Sequence, residues 1–504
     1  MRHLSSSLIF LWMLTACGAQ PNESAPQEPG LHQAPDEESP QTDSDVSETQ
    51  TLDTLCEGHF FITDDDADAL KDELEYLAYL EEGVNIVYHQ ISFEELEGCT
   101  EVIGNLAIVG TEDLNDLSRL AALRRIMGTF SLYGNRTLRS LNGLQSLKEV
   151  QKNFKLGYCS GSSTLLPCWG NAELETLSGL ESLETIGRSL TIAGNPKLTN
   201  LHPLANLSEI GMTIVSIREN TMLENLDGLD GLGSISLTLR DNPSLDNINA
   251  LSGITESPHG LWIEGNPNLR ELKGLEDLTH ANNRVWVIAN QSLLNLDALE
   301  SLETIRYGAL RIVANDSLED LEGLSSLRSV DGDVIVSNSP NLTSVNGISN
   351  LSEINGNLQI THNERLESFE GAQNLNELGG DLAIWGNTRL TYIAGFDSLE
   401  RLNGSFRLGM NEFGQTYSNP SLETITAFQS LGSIGENFHI IGHQILSTLE
   451  FLPVLNQIAG DAWIFGNAGL STCSINAFLD RVGAESIGGE LRVDNDQDTT
   501  PCEQ

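Results

Sequence analysis

Residues 260–278, GLWIEGNPNLRELKGLEDL, carry the pattern on which most of the chain is built. Residues 189–211 (SLTIAGNPKLTNLHPLANLSEIG) and 381–404 (DLAIWGNTRLTYIAGFDSLERLNG) repeat it, giving L-x-I-x-x-N-x-x-L-x-x-L-x-G-L-x-x-L-x-x-I-x-G. The asparagine slot is filled at Asn135, Asn171, Asn195, Asn220, Asn242, Asn266, Asn290, Asn315, Asn363, Asn387, Asn419 and Asn467. Thr111, Ser339, His443 and Asp496 stand in for it elsewhere. Nine of the fifteen intervals are 24 residues and four more lie between 22 and 29. The two long intervals, 36 and 32, hold insertions at 159–170 and about 411–418.

The spacing dictates the architecture. L-x-I has period two, so those residues point to one side of a short strand. One repeat cannot bury its own Leu/Ile set, but stacked repeats make a continuous core. The asparagine follows the strand, where its amide can satisfy turn backbone groups of neighbouring coils. A glycine before the strand permits a tight corner. The expected fold is a right-handed parallel β-solenoid of about 16 coils, roughly 75 Å long at ~4.8 Å per coil. Such a solenoid absorbs a length of 504 residues that would otherwise suggest about three domains. It should occupy 99–472, with a cap at 55–98 containing a helix over 64–81 and a second cap at 473–504 with a helix near 474–482.

The remaining segments read as address and tether. Residues 1–16 have a basic start, Arg2, and an apolar run from Leu8 to Ala16, the form of a signal peptide. Leu14-Thr15-Ala16-Cys17 resembles a bacterial lipobox, which implies cleavage before Cys17 and diacylglycerol on its thiol. Gly18 rather than Asp after that cysteine implies the outer membrane. Residues 17–54 hold nine acids and no Lys or Arg, with many Pro, Gln, Ser and Thr, and read as a disordered stalk. The other six cysteines fall into sequence-local pairs, read by proximity alone as 56–99, 159–168 and 473–502. Fifteen connectivities are open to six cysteines. A zinc site is the rival reading, but no CxxC occurs.

The chain holds 72 Asp+Glu against 26 Lys+Arg, a formal charge of −46. That excludes a nucleic-acid binder, which needs basic surface to neutralise phosphates.

The repeat resembles a leucine-rich repeat, with N-x-x-L where the common form has N-x-L. That form and the opening Gly98-Cys99-Thr100-Glu101-Val102-Ile103-Gly104-Asn105-Leu106-Ala107-Ile108 resemble receptor L-domains, the ligand-binding solenoids of insulin- and EGF-receptor ectodomains. Similar arrays occur in bacterial surface lipoproteins. The resemblance covers about residues 98–496. This chain has many more coils than the receptors and lacks a cysteine-rich module, a transmembrane helix and a kinase, so receptor signalling does not carry over.

Residues four and two places before the asparagine slot should face outward. These two columns contain Trp262, Trp286, Trp385 and Trp463, the tryptophans of the regular coils. They hold six basic residues (Lys155, Arg218, Arg240, Arg311, Arg407, Arg492) against two acids, Glu264 and Asp494. Rigid aromatics and arginines make interface hot spots. Trp262, Trp286, Ile288, Arg311, Val313 and Ile335 form a contiguous candidate patch, extended by Arg218, Arg240 and Trp385. Against this, strand positions favour aromatic and β-branched residues in any case.

No GxSxG, HExxH, Walker A or GxGxxG motif occurs. Asp494-x-Asp496-x-Asp498 is spaced for calcium but lacks the bidentate Glu, and reads rather as a solvated acidic tail. The expectation is therefore a lipid-anchored, non-catalytic recognition or adhesion module without cofactor, binding a protein or glycan through its sheet. The alternatives are a structural envelope spacer and a carbohydrate-active β-helix enzyme.

Overall fold

The computed structural model describes residues 54–63, 87–159, 168–412 and 414–494. They form a parallel β-solenoid of about 15 turns. In each regular coil the L-x-I segment is a strand, as in Leu261–Glu264 and Val334–Ser337. Its Leu and Ile side chains point inward and lose essentially all exposure. The chain then turns at the asparagine and passes through a turn or a short 3-10 segment such as Glu322–Leu324. A two-residue strand such as Ser329–Val330 completes the coil before the corner. The buried residues from Ile62 to Val482 form one core cluster, so no coil is an independent unit.

Strand register follows the repeat. Thr238 lies opposite Trp262, Trp262 opposite Trp286, Trp286 opposite Arg311, and Arg311 opposite Ile335. The sheet face is thus a set of straight columns, one residue per coil.

Two coils break the pattern. His280–Ile288 and Thr304–Val313 each run as one long strand where other coils have two strands and a corner. Their register slips between Asn282 and Arg284. Asn283 and Tyr307 take the slack with positive φ, 73° and 60°.

Towards the C-terminal end the 3-10 turns give way to a third parallel sheet, Ser368–Gly371, Tyr392–Gly395 and Thr424–Ala427. Phenylalanines replace leucines inside these coils and touch in series: Phe369–Phe396, Phe396–Phe428, Phe428–Phe406, Phe406–Phe438 and Phe438–Phe478, with ring centroids 4.9–5.5 Å apart. Phe478 belongs to the terminal helix Thr472–Val482, which buries Ile475, Phe478 and Val482 against the last coils. Ser471 caps this helix, its side chain accepting from the Ser474 N–H at 3.1 Å. An apolar helix face of this kind closes the end of a core that would otherwise be open.

Cys56 is bonded to Cys99 and Cys159 to Cys168. Cys473 is disulfide-bonded. The leader, Cys17, nearly all of the stalk, the helix expected over 64–81, Asp496, Asp498 and Cys502 lie outside the described residues. Among the described residues no helix is long and apolar enough to cross a membrane.

Candidate ligand-binding face

The asparagine side chains sit inside the turn and tie coils together. Asn266 Oδ1 accepts from the Asn242 N–H at 3.2 Å, while its Nδ2 donates to the carbonyls of Leu239 and Glu264, each at 3.1 Å. Asn135, Asn171, Asn195, Asn220, Asn242, Asn290, Asn315, Asn363, Asn387, Asn419 and Asn467 are fully buried in equivalent places. His443 fills the slot differently, its Nδ1 and Nε2 lying 3.1 Å from Asn419 O and 3.2 Å from Leu408 O. Its burial pushes the imidazole below its usual range, favouring the neutral ring. This column is scaffold, enclosed and without access to a ligand.

The two outward columns differ from each other. Four places before the slot, Trp262, Trp286, Arg311, Ile335 and Gln359 are half-buried. Two places before it, Arg240, Ile288, Ser337, Thr361 and Ile441 are buried. The expectation that both columns offer contact residues is therefore corrected for Arg240 and Ile288. Arg240 lies under the Trp262 ring, its guanidinium carbon 4.4 Å from the ring centroid, and ion-pairs with Glu264 at 3.0 Å. Ile288 is pressed between Glu264 and Val313 in the ladder.

The face is covered at its N-terminal end and again around Trp385, while its last strand, Leu491–Asp494, is exposed, with Arg492 4.4 Å from the Phe465 ring centroid. At the N-terminal end, Phe61, Tyr88, Ala107, Val109 and Tyr133 form a separate buried apolar cluster, with Tyr158 packed on it. The second insertion folds as an antiparallel hairpin, Met410–Glu412 with Gln415–Tyr417. It places Tyr417 against Trp385 and His362, all three ring centroids being 4.6–5.5 Å apart. Trp385 is thus engaged by the chain itself. Further on, His439 stacks on Trp463 at 4.7 Å, and Arg407 pairs with Asp381 at 3.0 Å. Burial, helped by Arg407, pushes His439 down to about 4.

Between the two covered stretches lies a layered cluster. Trp262 and Trp286 meet edge to face, centroids 5.1 Å apart. Arg284 reaches both rings, at 5.5 and 4.9 Å, and Arg311 lies 4.7 Å from Trp286. Trp262 Nε1 donates to Glu264 at 2.6 Å. Burial raises the Glu264 carboxyl above its usual range even though Arg240 opposes this, and Asp241 is raised for the same reason. Arg218 is lowered by burial and by Arg240. The acids of the cluster thus serve Arg240 and Trp262, at one end of it.

At the other end the pairing stops. Neither Arg284 nor Arg311 forms an ion pair with a carboxylate among the described residues. Trp286 Nε1 and Arg311 Nε are buried without a hydrogen-bond partner. Val313 and Ile335 border them, half-buried. Tyr307, on the same strand as Arg311, is 81% exposed, its N–H held by Asp331 Oδ2 at 2.8 Å.

Column reasoning missed Arg284 and Tyr307 because both sit before the L-x-I segment, where other coils turn a corner. For Arg284 a signal was present: HANNRVWVI has no glycine ahead of its strand, where SPHGLWIEG has Gly260; TIRYGALRI keeps Gly308, and nothing in it marks Tyr307. Among the described residues no group of three or more His, Cys, Asp or Glu could hold a metal. A shallow polar groove of about 740 Å³ lies elsewhere, lined by Asp246, Asn268, Arg270 and Glu271 among others.

The sequence matches no protein-family model and no curated protein.

Proposed function

We propose that the protein is a lipid-anchored bacterial envelope protein that acts as a non-catalytic recognition or adhesion module, binding its ligand on the sheet face around Trp262, Trp286, Arg311, Val313 and Ile335. The observation that carries this reading is the pair of buried, unpartnered donors Trp286 Nε1 and Arg311 Nε, beside an Arg284 that has no carboxylate partner among the described residues, in a chain with 72 acids to choose partners from. Buried polar groups are ordinarily paired, and leaving one unpaired costs about 1–3 kcal/mol. A fold that keeps two such groups together, next to a second arginine and half-buried aromatic surface, has the make-up of a binding hot spot. The lipobox at Cys17 and the acidic stalk support an anchored, outward-held position, with outer-membrane attachment following from Gly18.

A structural spacer is the second reading, favoured by the arginines lying over the tryptophan rings, which makes the cluster partly self-satisfied. Display of the full chain on glycan and surface-protein arrays separates the two. Loss of every retained ligand in the Trp262→Ala/Trp286→Ala/Arg311→Ala variant, with the melting profile kept, supports recognition. Unchanged retention refutes it and leaves the spacer.

A further inference from the structure

We propose that the shelf formed by Arg284, Trp286 and Arg311 binds the oxyanion groups of an acidic polysaccharide. This rests on the recognition reading above and names its ligand class.

Four observations lead there. The first is charge. Arg284 and Arg311 both lie against one indole, 4.9 and 4.7 Å from the Trp286 centroid, so two like charges share a small site without a carboxylate partner among the described residues. Arg240, one coil from Trp262, has Glu264 at 3.0 Å. The same stacking motif therefore occurs with a carboxylate and without one, and the unpaired copy is the half-exposed copy. Burial and the Arg311 charge push Arg284 below its usual range, so an anion placed between them relieves both desolvation and repulsion.

The second is donor geometry. Arg311 Nε and Trp286 Nε1 are each buried and unpartnered. Guanidinium forks match planar carboxylate and tetrahedral sulfate oxygens with paired hydrogen bonds. The third is local backbone. The two long strands that carry these residues are the ones that lose their corner, with Asn283 and Tyr307 held at positive φ. That distortion displaces the chain before Trp286 and sets Arg284 opposite Ala309, a residue too small to cover it.

The fourth decides between a polysaccharide and an acidic peptide. An extended peptide binds sheets mainly by adding a strand to a free edge. These strands are interior: each is paired on both sides, Leu261–Glu264 with His280–Ile288, and that strand with Thr304–Val313. Their backbone groups are spent. What remains is side-chain surface, flat indole and guanidinium bordered along the column by Ser216, Thr238 and Gln359, which suits the hydroxyls and C–H faces of sugars.

The test uses the full chain in calorimetry or biolayer interferometry against polygalacturonate, dextran sulfate, neutral dextran and poly-L-glutamate. Binding of polygalacturonate or dextran sulfate, weakened by salt and absent with dextran, is expected. The two anionic arms tell a carboxylate from a sulfate ligand. Arg284→Gln/Arg311→Gln should lose tenfold or more in affinity, whereas Arg365→Gln, an exposed cation on a turn, should lose less than twofold. Should the double variant melt early, Arg284→Lys/Arg311→Lys keeps the charge and removes the fork, and an intermediate loss is expected. Equal binding of dextran, poly-L-glutamate binding as tightly as the polysaccharides, or an unchanged double variant overturns the proposal. If the array ligand is lost in the tryptophan–arginine triple variant while the double arginine variant binds normally, recognition stands and the acidic-polysaccharide reading falls.

Discussion

At the scale of single residues, the asparagine slot and the outward histidine test how this fold spends its polar groups. Removing Asn266 leaves the buried Asn242 N–H without its partner and takes a donor from the carbonyls of Leu239 and Glu264, the second of which still accepts from the Asp241 N–H. Asn266→Ala should cost about 3 kcal/mol, read as a lowered thermal midpoint. Ser339 is the reverse case. Its Oγ accepts from the Asn315 N–H and donates to Ser337 O of its own coil, both at 3.4 Å, whereas Asn315 and Asn363 donate to carbonyls of earlier coils at 2.8 and 3.1 Å. Ser339→Asn should therefore stabilise by about 1 kcal/mol; a lowered midpoint would show that the turn there has no room for the amide. His439 sets a pH dependence. Its folded value of about 4 lies below the ordinary 6.5, because burial disfavours the charged ring. Between pH 6.5 and 4 the unfolded chain takes up a proton that the folded chain refuses, so stability falls as pH falls through that window. His439→Gln should flatten the pH dependence of the melting midpoint over this range, relative to wild type. An identical slope would mean that His439 titrates normally.

Elements differ in how far they can be read from their own residues. The strands and their register were legible, because L-x-I and the slot recur at the period of one coil and backbone pairing then fixes which residues are neighbours. Trp262 beside Trp286 beside Arg311 follows from counting. Coverage was not legible. Trp385, two places before its slot, and Trp262, four places before its own, both stand in outward columns, yet a hairpin from the second insertion brings Tyr417 onto Trp385 alone. Arg240 and Arg311 lie in different outward columns, and the neighbour one coil on, Glu264 for Arg240 and Ile335 for Arg311, separates a buried ion pair from a cation without a carboxylate. Arg284 escaped because it belongs to a strand that forms where a corner was expected. The terminal helix is the element that closes the core, and its hold is concentrated in Phe478 at the end of the phenylalanine series. Phe478→Ala should cost about 3–5 kcal/mol and loosen the last coils first. Hydrogen exchange should show protection lost from Ala462–Phe465 and Phe438–Ile441 before Leu261–Glu264. Uniform loss along the chain would contradict a cap role.

On the scale of the whole molecule, nearest-neighbour stacking gives a rigid column in which each face position is fixed by its coil number. That rigidity suits recognition, since the aromatic and guanidinium groups are held in place before a ligand arrives. The overall acidity, −46, also works for the site: it discourages anions everywhere except where arginines stand unpaired. Ligand contact should fall on the middle of the sheet face. Hydroxyl-radical footprinting of the full chain, with and without whichever ligand the arrays retain, measures this directly. Protection of Trp262, Trp286, Tyr307 and Ile335, with Trp169 and Tyr392 unchanged, is the predicted result. Protection confined to the insertion around Trp169, or to the third sheet at Tyr392, would contradict it.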